Sequence, residues 1–492
     1  MKRVRARWGV PTSLRKWREA DAAIVALIGL LVGGAAAASS DVRGEAVSYR
    51  SPAGVEERCV MLARLPGGVY RDEDTAHERA LCAIDVYDRA HAICPKTFST
   101  SPGASIYLLA GARFDGNPAG FEREMCPRGK GMPHDAYASW VAVKMSVNTR
   151  QSSATFANAS WIYYHLSRYF DAAAHVPPAV LRSFEKNAYL NRVALPGQAL
   201  SANSAPLAMN HAGWVALVGA VRDPASYKPA DELLTPDRSQ LYGALLRAHG
   251  ERYGEELNGS RRSGWGDGQN RDFQETAPFI ALATNRPLAE AVAEGLQRGW
   301  HAHAIPATVA PVQVAWWMRE LFDIVLLDHL LSQQDRVGNI DFTRHWVWVE
   351  DGRVRSAAAS GRQPPPELAG RLPLLLQRTE LGDNDAGVRT SYLNYARRTG
   401  MLAAIRHAPP QGYKRLIALA ADLRAQGPLA EQLRTSYGFS ATEFSHFVAN
   451  AVDAAETLRA SCKAGHLRFD LDPEAFLRDG RVDAAKLDCD RP

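Results

Sequence analysis

WWMRELFDIVLLDHLL, residues 316–331, runs directly into the polar stretch SQQDRVGNI, residues 332–340. The first stretch is apolar on nearly every face of a helix, although Asp323, Asp328 and His329 are embedded in it. A helix of this kind belongs in the middle of a helical layer, because it has no polar face for water. The sequence therefore predicts a buried helix that ends in a polar turn, and a β-hairpin follows that turn.

The rest of the chain divides into an early β-rich part and a later helical part. Residues 41–195 hold short β-like runs, such as WVAVKM at 140–145, and one long helix over 155–170. Residues 196–460 have mostly helical patterns, and residues 461–492 form a C-terminal tail. We therefore predict an α+β fold with a small β-rich N-lobe and a larger, mostly helical C-lobe.

The N-terminal 40 residues carry both the net charge and a leader. Residues 1–40 hold seven Lys or Arg and two acidic residues, which account for the whole net charge of +5 of the 492-residue chain. The remaining body is neutral, so no nucleic-acid partner is expected. Residues 22–38 are uncharged, follow the basic start and end in small residues. This layout predicts a signal peptide or an uncleaved N-terminal anchor, and hence an exported, periplasmic or secreted protein.

Six cysteines follow the leader: Cys59, Cys82, Cys94, Cys126, Cys462 and Cys489. An even number in an exported chain predicts disulfides, for which about fifteen pairings are possible. Local pairing would join Cys462 to Cys489 and would connect the other four within the N-terminal region. No C-x-x-C motif occurs, which argues against a zinc knuckle or a thioredoxin-like site.

Three polar pieces occur in an order that phosphoryl transfer would need. Lys144 ends the β-branched run VAVK, and such a lysine can hold nucleotide phosphates. Asp335 and Asn339 share the turn after the buried helix, where an acid can deprotonate a hydroxyl group and an amide can ligate a metal. Asp383 and Asp385 are two residues apart, and two close carboxylates favour a cation between them.

Each piece also has a purely structural interpretation. Lys144 could be a solvated residue on an edge strand. The turn at 335–339 could be an Asx-type turn with an exposed Asp-Arg pair. Asp385 could be the N-cap of a helix that begins near Val388. These alternatives are open at the level of the sequence.

The chain resembles the atypical protein-kinase fold, in particular the secretory-pathway kinases of the Golgi casein kinase type. The likeness covers residues 145–395 loosely and rests on VAVK at 141–144, HVPP at 175–178, DRVGN at 335–339 and DAG at 385–387. The chain also looks like a group of uncharacterised exported bacterial proteins, from which no activity is carried over. The resemblance implies a two-lobed protein that binds ATP or another nucleotide between its lobes.

The resemblance also implies roles for individual residues. Lys144 would hold the nucleotide phosphates, and Asn158 is the polar residue near the start of the following helix. Asp335 would be the catalytic acid or base, with Arg336 beside it. Asn339 and Asp385 would hold Mg²⁺ or Mn²⁺, with Asp383 as a second candidate. The phosphoryl acceptor would be a hydroxyl group on an unknown protein or small molecule.

Departures from the kinase pattern favour an alternative, a non-catalytic envelope protein that keeps the fold for binding. The helix at 155–170 contains no Glu to pair with Lys144, and no G-x-G-x-x-G motif precedes that lysine. Asp335 and Asn339 are four residues apart, whereas protein kinases separate the equivalent pair by five. An exported bacterial protein also meets little ATP.

Three further features of the sequence are candidate sites outside the kinase-like pieces. His301 and His303 could share a metal on a strand, although a surface role is the simpler interpretation. The irregular polar stretch at 258–274 is either a surface excursion or a ligand-shaping element. Within it, SGWGDG at 263–268 could cradle an anion through backbone N–H groups.

Overall fold

A computed structural model describes residues 43–152, 154–247, 250–299 and 310–491. The protein is a mixed α/β structure, with 45 % helix and 18 % strand. Its N-terminal part is rich in sheet and its C-terminal part is helical, which confirms the predicted mixture of elements. The expected leader and the His301 and His303 pair lie outside the described residues.

The strands in chain order are β1 (Gly44–Arg50), β2 (Glu56–Leu62), β3 (His91–Pro95), β4 (Gly103–Leu108), β5 (Ser139–Met145), β6 (Ala179–Glu185), β7 (Gln240–Leu246), β8 (Glu251–Arg252), β9 (Asp341–Glu350), β10 (Arg353–Ala358) and β11 (Leu374–Glu380). Seven of them form an antiparallel sheet in the order β1-β2-β6-β7-β5-β4-β3. The other four form a smaller antiparallel sheet around β9, which pairs with β8, β10 and β11.

The central strand of the large sheet comes from beyond the predicted N-lobe. β7 pairs with β5 on one side and with β6 on the other, so the sheet extends past the boundary drawn at residue 195. Its sequence QLYGALL was predicted as part of a helical segment. Gln, Leu and Ala are good helix formers, and a short apolar run does not separate a strand from a helix by its period.

The helices are α1 (Asp72–Leu81), α2 (Pro118–Met125), α3 (Asn158–Phe170), α4 (Lys186–Tyr189), α5 (Leu195–Ser201), α6 (Ala208–Arg222), α7 (Glu255–Asn258), α8 (Asp267–Gln274), α9 (Ala277–Leu282), α10 (Leu288–Gly299), α11 (Ala310–Leu331), α12 (Tyr395–Arg398), α13 (Met401–Ala404), α14 (Pro410–Ala425), α15 (Pro428–Ser436), α16 (Ala441–Lys463) and α17 (Pro473–Asp479). As predicted, α11 is buried on nearly every face. It packs against α3, α9, α10 and α16, so its polar end is held at the centre of the molecule.

The large sheet is covered on both faces. Ala142 of β5 belongs to the main core, which also contains α3 and α11. Val141 and Val143 belong to a second core, which contains Trp214 of α6. Because side chains alternate along a strand, Lys144 lies on the same face as Ala142 and points toward the helical part. Burial on both faces explains why this strand has an apolar run rather than an alternating pattern.

Three disulfides join Cys59 to Cys82, Cys94 to Cys126, and Cys462 to Cys489. The prediction of local pairing is therefore confirmed. Disulfides persist in oxidising compartments, so the three bonds fit an extracellular or periplasmic location. In the described part of the chain, no helix has both the length and the apolar composition needed to cross a membrane.

Candidate functional site

A cavity of about 240 Å³ lies where the large sheet meets the end of α11. Five stretches of chain line it: the loop between β3 and β4, the chain before α3, the strand β8, the turn after α11, and the loop after β11. Its lining residues are Phe98, Ser99, Thr100, Ser101, Ala154, Thr155, Arg252, Asp335, Asn339, Asp383, Asp385 and Ala386.

Lys144 joins the sheet to the loop after β11 through two ion pairs. Its Nζ lies 2.6 Å from Asp383 Oδ1 and 3.3 Å from Asp385 Oδ2. Only 11 % of its side chain is exposed, because β5 lies inside the sheet between β4 and β7. The interpretation of Lys144 as a solvated edge residue is therefore wrong.

The register of the sheet leaves room for this lysine. Lys144 pairs with Gly103 on β4 and with Ala244 on β7, which are both small. Larger neighbours on the same face would compete with the lysine stem for the space that leads to the two aspartates. The side chain therefore crosses from the sheet to the helical part.

The charges of the three groups depend on one another. Burial alone would lower the pKa of Lys144, but Asp383 and Asp385 outweigh it and raise that pKa. Burial would raise the pKa of Asp383, but Lys144 outweighs it and lowers that pKa. For Asp385, burial and the neighbouring Asp383 prevail over Lys144 and raise the pKa. One carboxylate therefore holds its charge firmly, and the other takes up a proton more readily.

A second lysine, which sequence analysis did not single out, lies close to this group. Burial and the positive charge of Lys144 lower the pKa of Lys96 to about 8, although Asp383 and Asp385 oppose the shift. Lys96 follows β3, at the start of the loop that lines the cavity. Its position opposite Lys144 depends on the pairing of β3, β4 and β5, which a single sequence does not reveal.

The loop between β3 and β4 is fixed at both ends by α6. The Asn210 side-chain amide donates to the Lys96 carbonyl oxygen at 3.2 Å and to the Ser101 carbonyl oxygen at 3.0 Å. Asn210 is fully buried, and its own oxygen accepts from the indole N–H of Trp214 at 3.0 Å. The hydroxyl-rich tip of the loop, which includes Ser99, is thereby held at the cavity wall.

The turn after α11 presents Asp335 and Asn339 to the cavity. The Asn339 side-chain amide donates to the Asp335 carbonyl oxygen at 2.8 Å, which closes the turn. Gly338 has a φ of +88°, a conformation that favours glycine. Its N–H donates to the Asn258 side-chain oxygen at 2.9 Å. Asn258, the first residue of the irregular polar stretch at 258–274, thus helps to hold this turn.

Two further groups influence Asp335 and Asn339. Burial and the nearby Asp383 raise the pKa of Asp335, although hydrogen bonds from Trp265 and Asn339 oppose the shift. The guanidinium group of Arg252 donates to the Asn339 side-chain oxygen at 2.5 Å. A metal ion on that oxygen would therefore have to displace Arg252.

Arg336, predicted as catalytic, does not line the cavity. Its guanidinium group pairs with Asp328 of α11 at 2.9 Å and donates to the Asn384 side-chain oxygen at 2.8 Å. Tyr163 of α3 donates to the same Asp328 at 2.9 Å. Arg336 therefore connects α11, the turn and the loop after β11, and it acts as a positioning residue.

The loop after β11 has no helix of its own. The described chain enters the next helix, α12, only at Tyr395, so Asp385 is not the N-cap of a helix at Val388. Instead, the Asp385 carbonyl oxygen accepts from the Phe156 N–H at 2.6 Å. Val388 has a φ of +77°, which is rare for a β-branched residue and indicates local strain beside the two aspartates.

Asn158, predicted near the nucleotide, is not among the residues that line the cavity. It lies at the start of α3, and its side-chain amide donates to the Gly438 carbonyl oxygen at 3.0 Å. The α3 sequence NASWIYYHLSRYF contains no carboxylate, so Lys144 takes its acidic partners from the loop after β11.

The oxygen donors in the cavity fit a hard divalent cation in their chemistry. Mg²⁺ prefers carboxylate and amide oxygens, and it commonly uses only one or two carboxylates together with substrate phosphates. Asp383, Asp385 and Asn339 supply oxygens of this type around one cavity. Among the described residues, no group of three or more His, Cys, Asp and Glu is arranged to hold a metal ion.

No protein-family model and no curated protein sequence matches this chain.

Proposed function

We propose that the protein binds a nucleoside triphosphate and Mg²⁺ or Mn²⁺ in this cavity and transfers a phosphoryl group to a hydroxyl acceptor. The observation that carries the proposal is the contact of Lys144 with Asp383 and Asp385 beside Asp335 and Asn339. Lysine, carboxylates and an amide are the groups that phosphoryl transfer uses for phosphates, metal and nucleophile.

The order of elements around the cavity supports a kinase-like arrangement. In protein kinases a loop covers the phosphates, a lysine from the third strand holds them, and a helix follows. Here β3, β4 and β5 pair in sequence, Lys144 lies on the third of them, and α3 follows. The loop between the first two strands lines the cavity. Its Ser99, Thr100 and Ser101 stand where a kinase has a glycine-rich loop.

Each residue has a task in the proposed reaction. Lys144 and Lys96 bind phosphate oxygens, and Asp385 and Asn339 hold the metal, with Asp383 beside them. When bound, the metal ion neutralises charge on the phosphates. Asp335 takes the proton of the acceptor hydroxyl, and a raised pKa suits a proton acceptor near neutral pH.

The transfer step balances without another reactant. The acceptor oxygen forms a bond to the terminal phosphorus of the nucleotide, and its proton passes to Asp335. The bond from that phosphorus to the bridging oxygen breaks, and the nucleoside diphosphate leaves with the electron pair. The products are a phosphate monoester and a nucleoside diphosphate.

A thermal-shift titration tests binding. The full chain, with its disulfides oxidised, is titrated with a non-hydrolysable ATP analogue and Mn²⁺. Saturation to about 100 times the dissociation constant should add about 2.7 kcal/mol of stability. Asp385→Asn and Lys144→Met should each reduce the shift strongly, whereas Asp483→Asn, at an exposed tail position, should leave it intact. A parent protein without a shift, or equal shifts in all variants, would refute the nucleotide site.

A second function, nucleotide binding without catalysis, has its own supporting observation. Lys144 has no carboxylate partner on α3, and it pairs with the two aspartates that a metal ion would need. A normal thermal shift without phosphorylation of any hydroxyl acceptor by radiolabelled ATP would favour this alternative. Phosphate transfer that Asp335→Asn abolishes, with binding retained, would favour the enzyme.

A further inference from the structure

Two lysine side chains leave the large sheet on either side of a glycine. Gly103 of β4 pairs with Lys144 of β5, and the Lys96 N–H, just after β3, donates to the Gly103 carbonyl oxygen at 2.8 Å. Residues directly opposite one another in antiparallel strands project from the same face of a sheet. Gly103 has no side chain to separate the two lysines, and a methyl group there would lie 3.6 Å from the Lys96 Cδ. Lys96 therefore shares the cavity face of the sheet with Lys144.

Lys96 differs from Lys144 in its partners. Lys144 is paired with Asp383 and Asp385, whereas the Lys96 ammonium group forms no ion pair or hydrogen bond within the described part of the chain. Its pKa of about 8 lies above neutral pH, so the group carries a positive charge at pH 7. A half-buried cation without a carboxylate partner favours an anionic ligand, because its removal from water is otherwise unfavourable.

A third lysine extends the pair toward the surface. The Lys130 Nζ lies 5.4 Å from the centre of the Phe98 ring, and the Lys96 Nζ lies 5.8 Å from the centre of the same ring. Lys144 is nearly buried, Lys96 is half-buried and Lys130 is exposed. These three residues, which we call the lysine row, lead from the two aspartates to the protein surface.

The segment that carries Lys130 is fixed to the loop between β3 and β4. A disulfide joins Cys94 of β3 to Cys126, the first residue of the short 3₁₀ helix Cys126–Gly131. A methyl group at Gly129 of this segment would lie 3.3 Å from the Thr97 hydroxyl oxygen. Covalent and packing contacts therefore set the place of the lysine row.

The cavity beside the row offers little to a nucleobase. Only Phe98, Ala154 and Ala386 are apolar among its described lining residues, and the Phe98 ring already lies beside two ammonium groups. Binding sites for organic ligands are commonly about 300–1,000 Å³ in volume and mostly apolar. This cavity has a volume of about 240 Å³, and the rest of its lining consists of hydroxyl, amide, carboxylate and guanidinium groups. Such a lining suits phosphate groups and a metal ion.

We propose that the donor site recognises a phosphate chain with its metal ion and does not recognise a nucleobase. The site accepts inorganic triphosphate and longer linear polyphosphates as well as nucleoside triphosphates. This inference rests on the proposed phosphoryl transfer and names the class of its donor. Every phosphate of a linear polyphosphate carries negative charge, which matches a row of ammonium groups. Lysine binds phosphate as a point charge, so the row can hold a chain without fixing the orientation of each phosphate.

Transfer from inorganic triphosphate needs no further reactant. The acceptor oxygen forms a bond to a terminal phosphorus, and its proton passes to Asp335. The bond from that phosphorus to the bridging oxygen breaks, and pyrophosphate leaves with the electron pair. A longer chain leaves shortened by one phosphate. The reacting phosphate lies beside Asp383 and Asp385, and the rest of the chain follows the lysine row.

Isothermal titration calorimetry of the full chain, with its disulfides oxidised, tests the inference. The ligands are inorganic triphosphate, a longer linear polyphosphate, and non-hydrolysable analogues of ATP and GTP, all at the same free Mg²⁺ concentration. We expect the Kd values of the triphosphate and the two analogues to agree within about threefold. The longer polyphosphate should bind more tightly, because it reaches Lys130.

Three lysine variants locate the chain. Lys96→Met should weaken the binding of every ligand by about tenfold, because it removes a charge-assisted contact with phosphate. Lys130→Met should weaken only the longer polyphosphate, by about threefold, because an ion pair at an exposed position contributes less. Lys228→Met changes an exposed lysine outside the row and should alter none of the Kd values.

The outcomes separate this inference from the proposed function. Inorganic triphosphate that binds more than about tenfold more weakly than the ATP analogue would overturn the inference, since the base would then contribute to binding. So would an equally large preference for one of the two nucleotide analogues. Unchanged binding of the longer polyphosphate by Lys130→Met would overturn the lysine row as its path. Each of these results leaves the nucleotide site in place, whereas absence of binding by every phosphate ligand would refute the proposed function itself.

Discussion

The Lys144 ammonium group is separated by 239 residues in sequence from the carboxylate it contacts most closely. A nearly buried cation requires an opposite charge, because the free energy of removing it from water is otherwise unfavourable. Asp383 and Asp385 in turn require a cation, because two adjacent carboxylates repel one another. The three side chains therefore form one electrostatic unit, in which the loss of any member changes the other two.

Lys144→Met should leave the aspartates without their cation and destabilise the fold. We expect a loss of about 2 kcal/mol near neutral pH, less than for a fully buried pair because Asp383 is partly exposed. Without the lysine, the folded carboxylates hold protons more tightly than unfolded ones. The stability of the variant relative to the parent should therefore fall as pH rises from about 4 and recover in acid. Urea unfolding at a series of pH values measures this difference.

Two matched variants check the cause. Lys144→Met combined with Asp385→Asn removes one of the repelling carboxylates, so it should regain much of the lost stability. Lys228→Met changes an exposed lysine and should alter neither the stability nor its pH dependence. If Lys144→Met were as unstable in acid as at neutral pH, the electrostatic account would be wrong.

His165 makes a different pH prediction, in the main core. It is fully buried, and its Nδ1 lies 2.6 Å from the Tyr70 hydroxyl group. Burial, with a smaller effect of Arg168, lowers the pKa of His165 from 6.5 to about 3. Between about pH 6.5 and 3, the imidazole of His165 binds a proton in the unfolded chain but stays neutral in the folded one. The free energy of unfolding should therefore fall as the pH drops from about 6.5 toward 3. This group contributes up to about 1.4 kcal/mol per pH unit to that fall.

His165→Gln can still accept the Tyr70 hydroxyl proton but cannot titrate. The free energy of unfolding of the variant, measured with urea, should therefore depend less steeply on pH, by the contribution of about one proton. This holds whatever the stability of the variant at neutral pH. His77→Gln, at an exposed position of α1, should keep the slope of the parent. Equal slopes in the parent and in His165→Gln would show that His165 is protonated in the folded protein.

Among the elements, those with strong local patterns were predictable. The burial of α11 was predictable from its length and from the apolar residues on nearly all of its faces. The polar turn at its end contains two residues that line the cavity. The strand β7 was not predicted, because its run of Leu and Ala suits either a helix or a strand. The position of the loop after β3 beside the cavity was not predicted, because it depends on which strands pair.

Asn210 of α6 should control the mobility of that loop. Asn210→Ala leaves the carbonyl oxygens of Lys96 and Ser101 and the indole N–H of Trp214 without their partner. We expect a destabilisation of about 2 kcal/mol and faster amide hydrogen exchange concentrated between β3 and β4. Hydrogen-exchange mass spectrometry of the intact protein measures both the site and the size of the change.

An exposed asparagine provides the comparison. Asn191→Ala, in the segment between α4 and α5, should leave exchange between β3 and β4 unchanged. Uniformly faster exchange across the whole of Asn210→Ala would mean that the residue supports global stability only, and the assignment of a specific clamp would then be wrong.

For the molecule as a whole, the sequence predicted the presence of an even set of disulfides, and their local pairing is confirmed. It also brought forward Asp335, Asn339, Asp383 and Asp385, which line the cavity, although not Lys96 or Arg252. Those depend on contacts between distant segments, such as the pairing of β8 with β9 that brings Arg252 to Asn339. A pattern within one segment holds no information on such contacts.

Removal of the C-terminal disulfide should release the tail from the helical part. Cys462→Ser with Cys489→Ser opens a bond between residues 27 apart, which should lower the free energy of unfolding by about 3 kcal/mol. Tyr413 also holds the tail, because its hydroxyl group donates to the Cys489 carbonyl oxygen at 2.6 Å. Limited proteolysis should cut the variant after α17 while the large sheet stays protected. Unchanged protease resistance would show that packing alone secures the tail.

The central position of β7 has a consequence for biosynthesis. Before residue 246 leaves the ribosome, the large sheet can exist only as two separate three-stranded ribbons, β1-β2-β6 and β3-β4-β5, each with an open edge. Open edges pair readily with other chains and promote aggregation. A nascent chain that stalls or is truncated before this strand would be a substrate for chaperones rather than a folded N-terminal half.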